Sequence, residues 1–395
     1  MVKLAIDGGA PVRDSFLPYG KQSIDEKDIE SVLSVIRGAM ITQGPMIERF
    51  EGKVAEYVGA KYAVAFSNGT AALHAAYYAA GLTKGDEVIT TPITFVATSN
   101  AALYVGAKPV FADIDEYTYQ LSPNQVEKKI NVNTRAIVSV DFAGQPVEYD
   151  RFRDLAKKHN LVYISDGAHS LGAQYKGKPV GTQADMTMFS FHPVKPVTTG
   201  EGGIIVTDSS EYAERLELFR SHGIKKDGLL EYHGPWYYEM HDLGMNYRMT
   251  DIQAALGFTQ MDKLDSFMKR RREIATIYTK SFIEEIGIEI PTVHADVLSG
   301  WHLYILRFNS QCFSVDRKAI FEALRAENIG VHVHYIPVYL QPYYQQLGYH
   351  ADCPNANNWY EEVITLPIFP SMTNKDVTDV IEAVKKVYYH YRVEA

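Results

Sequence analysis

The 395-residue chain has little cysteine: Cys312 and Cys353 are its two thiols. That excludes a disulfide-built scaffold or a Cys-rich zinc module, and it fits a reducing compartment. It lacks long apolar runs, since no stretch of about 18 apolar residues occurs that could span a bilayer as a helix. The first residues, MVKLAIDGGAPVR, carry no apolar signal-peptide core, so a cytoplasmic protein is expected. It has no long basic run either; the formal charge of −9 comes from acidic and basic residues intermixed. A nucleic-acid surface or an anionic membrane surface is therefore not expected. Internal repeats, the G-x-G-x-x-G dinucleotide spacing and the Walker lysine motif are also missing, which turns the reading away from nicotinamide and nucleoside triphosphate chemistry.

What is present is a β/α rhythm. From Lys61, β-branched runs alternate with helical ones: YAVAFS, TAALHAAYYAAG, EVITTP, TFVATSNAALYVG, KPVFADID, then RAIVSVDF, YDRFRDLAKKHN and LVYISDGA. Ser122-Pro123-Asn124-Gln125 reads as an N-cap, a first-turn proline and a capping-box glutamine opening a helix through Ile130. ADMTMFSF and GGIIVTD follow as strands, and a helix is expected from about Glu211. The order predicts an α/β fold with a mostly parallel central sheet and helices on both faces. From Thr250 one long helical pattern leads into a smaller C-terminal α+β unit with strand LYILRF, helix RKAIFEALRAEN, strand VHVHYI and a closing helix from about Lys375. The expected division is a large domain over residues 1–264, with residues 1–25 near the active site, and a small domain over 265–395.

Open α/β sheets bind ligands beyond the carboxyl ends of their strands. Four stations follow such ends. Ser67-Asn68-Gly69-Thr70 opens an alanine-rich helix and could cradle a phosphate on its first N–H groups; it is also a common strand-to-helix turn. Phe95 could stack on a flat ligand or simply pack in the core. Asp166, at the end of a buried strand, needs hydrogen bonds or an opposite charge, or else caps a helix. Ser190 and Lys195 precede Gly200-Glu201-Gly202-Gly203, and a desolvated Lys195 amine would have a lowered pKa and could form a Schiff base. Together these are the parts that hold pyridoxal 5'-phosphate: a phosphate cradle, a stacking ring, an acid for the pyridine nitrogen and an amine for the aldehyde.

The segments ITQGP (41–45), SNGTAALHAA (67–76), ISDGAHSLGA (164–173), SFHPVKPVTTGEGG (190–203), GMNYRMTDIQAALG (244–257) and VHYIPVYLQPYY (333–344) resemble the DegT/DnrJ/EryC1/StrS family of sugar aminotransferases over nearly the whole chain. The resemblance implies a fold type I transferase that uses pyridoxal 5'-phosphate. It implies that Lys195 carries the Schiff base and shuttles the proton, and that Asp166 partners the pyridine nitrogen. Phe95 would stack on the ring, Gly69, Thr70 and Ser190 would hold the phosphate, and His169 would lie against the cofactor. Asn246 would reach the phosphate across a homodimer interface with shared active sites. Tyr19, Met40, Thr42, His332, His334 and Tyr335 would border a UDP-sugar. The expected reaction moves an amino group from L-glutamate to the C4 ketone of a UDP-linked 4-keto-6-deoxy-N-acetylhexosamine of the pseudaminic acid type. Related sugars of the bacillosamine or perosamine type, or a non-catalytic sugar-nucleotide-binding regulator, stand as alternatives. Relatives that remove a hydroxyl carry histidine where this chain has Lys195, and His192 reads as a loop residue. His332 and His334 alternate along a predicted strand, but with no third ligand nearby no metal site is expected.

Overall fold

In the computed structural model, which describes residues 3–225 and 233–393, the alternation of short branched runs and helices builds one seven-stranded sheet. Its strands are β1 (Tyr62–Phe66), β2 (Glu87–Thr90), β3 (Lys108–Phe111), β4 (Thr134–Val140), β5 (Val162–Asp166), β6 (Met186–Ser190) and β7 (Gly203–Thr207). They lie in the order β1-β7-β6-β5-β4-β2-β3. All pairings are parallel except those of β7, which runs against both β1 and β6. Strands such as β6 and β7 are almost continuously apolar because both sheet faces are covered. One face packs against Phe50, Val54, Phe152, Phe191, Met261 and Met268; the other is covered by the alanine-rich helix Gly69–Ala79 and its neighbours. That helix is buried from Ala71 to Tyr77, so its small residues fill the layer all round rather than forming one apolar stripe.

A second apolar core forms around a three-stranded antiparallel sheet of Ile288–Glu289, Tyr304–Phe308 and Val363–Leu366 and the helices Arg317–Ala326 and Asn374–Tyr391. Leu4 and Leu17 belong to this core, so the start of the chain packs on its end. A further apolar seam, including Ile93, Phe142, Leu303, Val338 and Trp359, joins the two units.

Three local expectations are corrected. The pattern from Thr250 folds as two helices, Asp251–Met261 and Leu264–Phe282. The helix Pro123–Lys129 starts after Ser122, but no side-chain capping bond forms there. VHVHYI is not a strand: a single bridge pairs His332 with Thr365. Among the described residues no helix is long and apolar enough to cross a membrane, and no cluster of three or more His, Cys, Asp or Glu is arranged to hold a metal.

Candidate active site

Parallel strands bring their carboxyl ends to one edge, and the chemistry-bearing residues collect there. Register places Val140 beside Asp166 and Asp166 beside Met188, while Ser190 and Phe66 both pair with Gly203. Gly203 is required by close approach: a Cβ there would lie 2.6 Å from the Asn68 carbonyl oxygen and 2.8 Å from Gly69 Cα. This presses the start of β7 under the turn that opens the Gly69–Ala79 helix. Ser190 Oγ lies beneath the same turn, 3.1 Å from where a Gly69 Cβ would stand. Asn68 caps the helix through a 2.8 Å bond from the Ala71 N–H. The Gly69 and Thr70 amides precede the first intrahelical bond, so with the Ser190 hydroxyl they form a donor set suited to a phosphate.

Asp166 is buried, and both its oxygens have partners. Thr98 Oγ1 donates to Oδ2 at 2.6 Å, and the Ala168 N–H donates to Oδ1 at 3.1 Å. Thr98 is held in turn by Thr94 at 2.8 Å. Burial raises the Asp166 pKa, while these two donors and the positive charge of Lys195 pull it down; a protonated ring nitrogen placed against it would act in the same direction as Lys195. Lys195 is partly buried, and loss of solvent lowers its pKa to about 8, against the opposing pull of Asp166. Its amine is thus far more often neutral near pH 7 than that of a surface lysine. The loop holding it is tied by Lys195 N–H to His192 C=O at 2.9 Å and Thr199 N–H to Phe191 C=O at 3.0 Å.

A line of rings forms the neighbouring wall. Tyr19 packs on His332 and His334 at centroid distances of 5.2 and 5.3 Å. His332 stacks on His334 at 4.4 Å, and His334 meets Tyr335 edge-on at 4.9 Å. The Tyr335 hydroxyl is 3.3 Å from His169 Nε2, while His169 Nδ1 accepts the Ala143 N–H at 3.3 Å. That acceptor role puts the imidazole proton on Nε2, facing Tyr335. Burial and the nearby Lys195 charge hold the His169 pKa well below its usual range, so the ring is neutral. Phe95, 58% exposed, stands 6.3 Å from Tyr335, a bare apolar ring at the site margin and not a core residue.

The structure therefore brings Gly69, Thr70 and Ser190 together, Asp166 and Lys195 within electrostatic reach, and Phe95, His169, Tyr335, His334, His332 and Tyr19 into one wall. Met40, Thr42 and Asn246 are exposed; Thr42 bridges to Thr250 and Asn246 to Ser221, and none has a hydrogen bond or ring contact to the Asp166–Lys195 group. Sequence reasoning missed Thr98, whose spacing of four from Thr94 was the available signal, and His302, whose ring lies tilted against His169 at a centroid distance of 4.3 Å. It also missed Asp141, a buried carboxylate bonded by Tyr149 and Ser170 beside Asp166, whose pKa burial raises to about 6.

The set fits pyridoxal phosphate: an amine with a depressed pKa, a buried acid, a phosphate cradle and an exposed aromatic ring. Comparison with known proteins points the same way. The profile described as the DegT/DnrJ/EryC1/StrS aminotransferase family matches residues 22–385. The chain is 42% identical over 380 residues to the spore coat polysaccharide biosynthesis protein SpsC of Bacillus subtilis, covering 95% of this chain and 98% of that one. It is 40% identical over 387 residues to the UDP-4-amino-4,6-dideoxy-N-acetyl-beta-L-altrosamine transaminase of Campylobacter jejuni, covering 94% and 99%. Among solved structures it superposes on the PLP-form of the putative sugar aminotransferase Spr1654 from Streptococcus pneumoniae with a TM-score of 0.88, at 31% identity and covering 95% and 98%.

Proposed function

Because the chain belongs to the DegT/DnrJ/EryC1/StrS aminotransferase family, we propose that it moves the amino group of L-glutamate onto the C4 ketone of a UDP-linked 4-keto-6-deoxy-N-acetylhexosamine. It is a pyridoxal-phosphate-dependent sugar aminotransferase. The observation that carries the reading is the desolvated Lys195 amine within electrostatic reach of the buried Asp166, at the sheet edge that also holds the phosphate cradle. A protein that only binds a sugar nucleotide has no use for that pair.

Bound pyridoxal phosphate supplies an aldehyde that carries the amino group between substrates and a ring that takes up the electron pair at the reacting carbon. Gly69, Thr70 and Ser190 would hold the phosphate, Phe95 would cover the ring, and His169 would lie against it. Asp166 would face the pyridine nitrogen and keep its proton in place. Lys195 would bind the aldehyde between turnovers and yield it to the donor's amine. Lys195 Nζ would then take the proton from the donor's α-carbon and pass it to the carbon that had carried the aldehyde, and water would release 2-oxoglutarate with the amino group left behind. In the second half the same Nζ would take that proton back and deliver it to C4 of the sugar. Two half-reactions at one site give ping-pong kinetics.

The ring wall of Tyr19, His332, His334 and Tyr335 would receive the UDP-sugar. Asn246 is exposed and bridges to Ser221; in a homodimer a second copy would bring it, with Met40 and Thr42, to a shared site. A sugar-nucleotide substrate would suit a cytoplasmic enzyme. The test is to incubate the loaded enzyme with L-glutamate and a panel of UDP-linked 4-keto-6-deoxy sugars and to identify the product by mass and by the C4 proton couplings. Amination of the N-acetylhexosamine supports the reading. Amination of a differently substituted 4-keto sugar alone moves the assignment to another nucleotide-linked 4-keto-6-deoxy sugar, an alternative that likeness to a protein named for spore coat polysaccharide keeps open.

A further inference from the structure

Residues 5–19 are tied to the C-terminal unit through a buried charge cluster. The Glu327 carboxylate, fully buried, accepts the Ala5 N–H at 2.8 Å and the Val12 N–H at 2.9 Å. Lys386 Nζ lies 2.8 Å from the same carboxylate and donates to the Ala10 carbonyl at 2.8 Å. Arg13 then bridges Asp376 at 2.8 Å and Asp379 at 2.5 Å. Beyond it, the Leu17 N–H donates to the Asn328 carbonyl at 2.9 Å, and the Gly330 N–H donates to the Leu17 carbonyl at 2.7 Å. Gly330 has no room for a side chain, since a Cβ would lie 2.4 Å from the Leu17 oxygen. The Ile368 N–H closes the run on the Tyr19 carbonyl at 3.1 Å, and the next contact is the Tyr19 ring on His332 and His334.

A buried ion pair adds little net stability over an apolar replacement, because desolvation offsets its attraction. What it supplies is register: two amides and an ammonium converging on one carboxylate fix where residues 5–12 lie, and the bonds at 17–19 carry that register to Tyr19. None of these residues reaches Asp166 or Lys195. We propose that Glu327, with Lys386, is a positioning residue for the sugar half-reaction: it sets Tyr19 in the ring wall and does not serve the amino donor. The proposal rests on the reading of Tyr19 as part of a sugar-nucleotide site.

The test uses full-length, cofactor-loaded enzyme with L-glutamate and the UDP-linked 4-keto-6-deoxy-N-acetylhexosamine as separate probes. Glutamine in Glu327→Gln keeps the size but turns an N–H₂ toward groups that are themselves donors. The expected result is about a tenfold fall in kcat/KM for the sugar, carried by KM, with the single-turnover rate for L-glutamate within about twofold of wild type. Tyr19→Ala should show the same split, and adding Glu327→Gln to it should cost nothing more, as expected of residues acting as one unit. Gly330→Ala, which displaces Leu17 by steric contact and leaves the charges intact, should reproduce the split if Glu327→Gln folds poorly. Equal losses in both half-reactions, or losses of Glu327→Gln and Tyr19→Ala that multiply, would overturn the proposal. A wild-type enzyme that reacts with L-glutamate but aminates no UDP-sugar would instead overturn the substrate reading, and the proposal with it.

Discussion

The sheet edge and the ring wall face the same space but are built in opposite ways. At the edge, Asp166, Lys195, Ser190 and Gly203 are set by strand register and by contacts within the large sheet's own unit. They are packed tightly enough that a single added Cβ at Gly203 would meet backbone. In the wall, Tyr19, His332, His334 and Tyr335 come from the two ends of the chain, in irregular backbone, held by ring contacts and long-range bonds. Chemistry common to many substrates needs fixed geometry, and the sheet provides it. Choice of substrate needs surfaces that can differ without disturbing that geometry, and loops on a rigid frame provide those.

Changes at the edge should therefore damage both half-reactions alike, and changes in the wall should separate them. The largest effect is expected from Lys195→Ala, which removes the proton carrier: both half-reactions should slow by on the order of 10⁴-fold, read as single-turnover rates with each substrate alone. Asp166→Asn comes next, at about 10³-fold in both half-reactions, as for the loss of one preorganised charged group. A large loss in the sugar half alone would break the comparison.

Thr98→Val sharpens it. The variant takes away the 2.6 Å donor to Asp166, and a carboxylate that loses a donor to its charged form has a higher pKa. The acid limb of the pH-rate profile should move to higher pH in both half-reactions, with kcat at neutral pH falling by about tenfold. The smallest effect concerns the unloaded protein. Only the neutral Lys195 amine attacks an aldehyde, and that form gains as pH rises through about 8. Capture of pyridoxal phosphate, followed by absorbance, should accelerate about tenfold between pH 7 and 9 and level off above.

The contrast also explains what was legible in the sequence. Strand ends, the Gly69 turn and the Gly200–Gly203 run are local signals, because backbone geometry at those points restricts which residues fit. Asp166 and Lys195 stand out as charges in apolar surroundings. The wall leaves weaker traces. Val331 to Ile336 alternates like a strand, yet one bridge to Thr365 is all the pairing it makes; the His332 and His334 rings stack on each other and pack on Tyr19 instead of lining a sheet. The break between the helices Asp251–Met261 and Leu264–Phe282 carries no proline or glycine to mark it. Gln125 sits in a capping-box pattern that the Ser122 side chain does not complete. Glu327 could not be read at all: its amide partners lie more than 300 residues away, and nothing in EALRAEN distinguishes it from a solvated helix-end acid.

The account's central claim is that the edge performs amino transfer by itself and the wall adds the sugar. The most direct measurement is the visible spectrum of the loaded wild-type enzyme as L-glutamate is added with no sugar present, followed by the UDP-linked 4-keto-6-deoxy-N-acetylhexosamine. The account predicts that L-glutamate alone bleaches the bound pyridoxal chromophore with release of one equivalent of 2-oxoglutarate per site, and that the sugar restores it. A chromophore unchanged by L-glutamate until the sugar is present would contradict it.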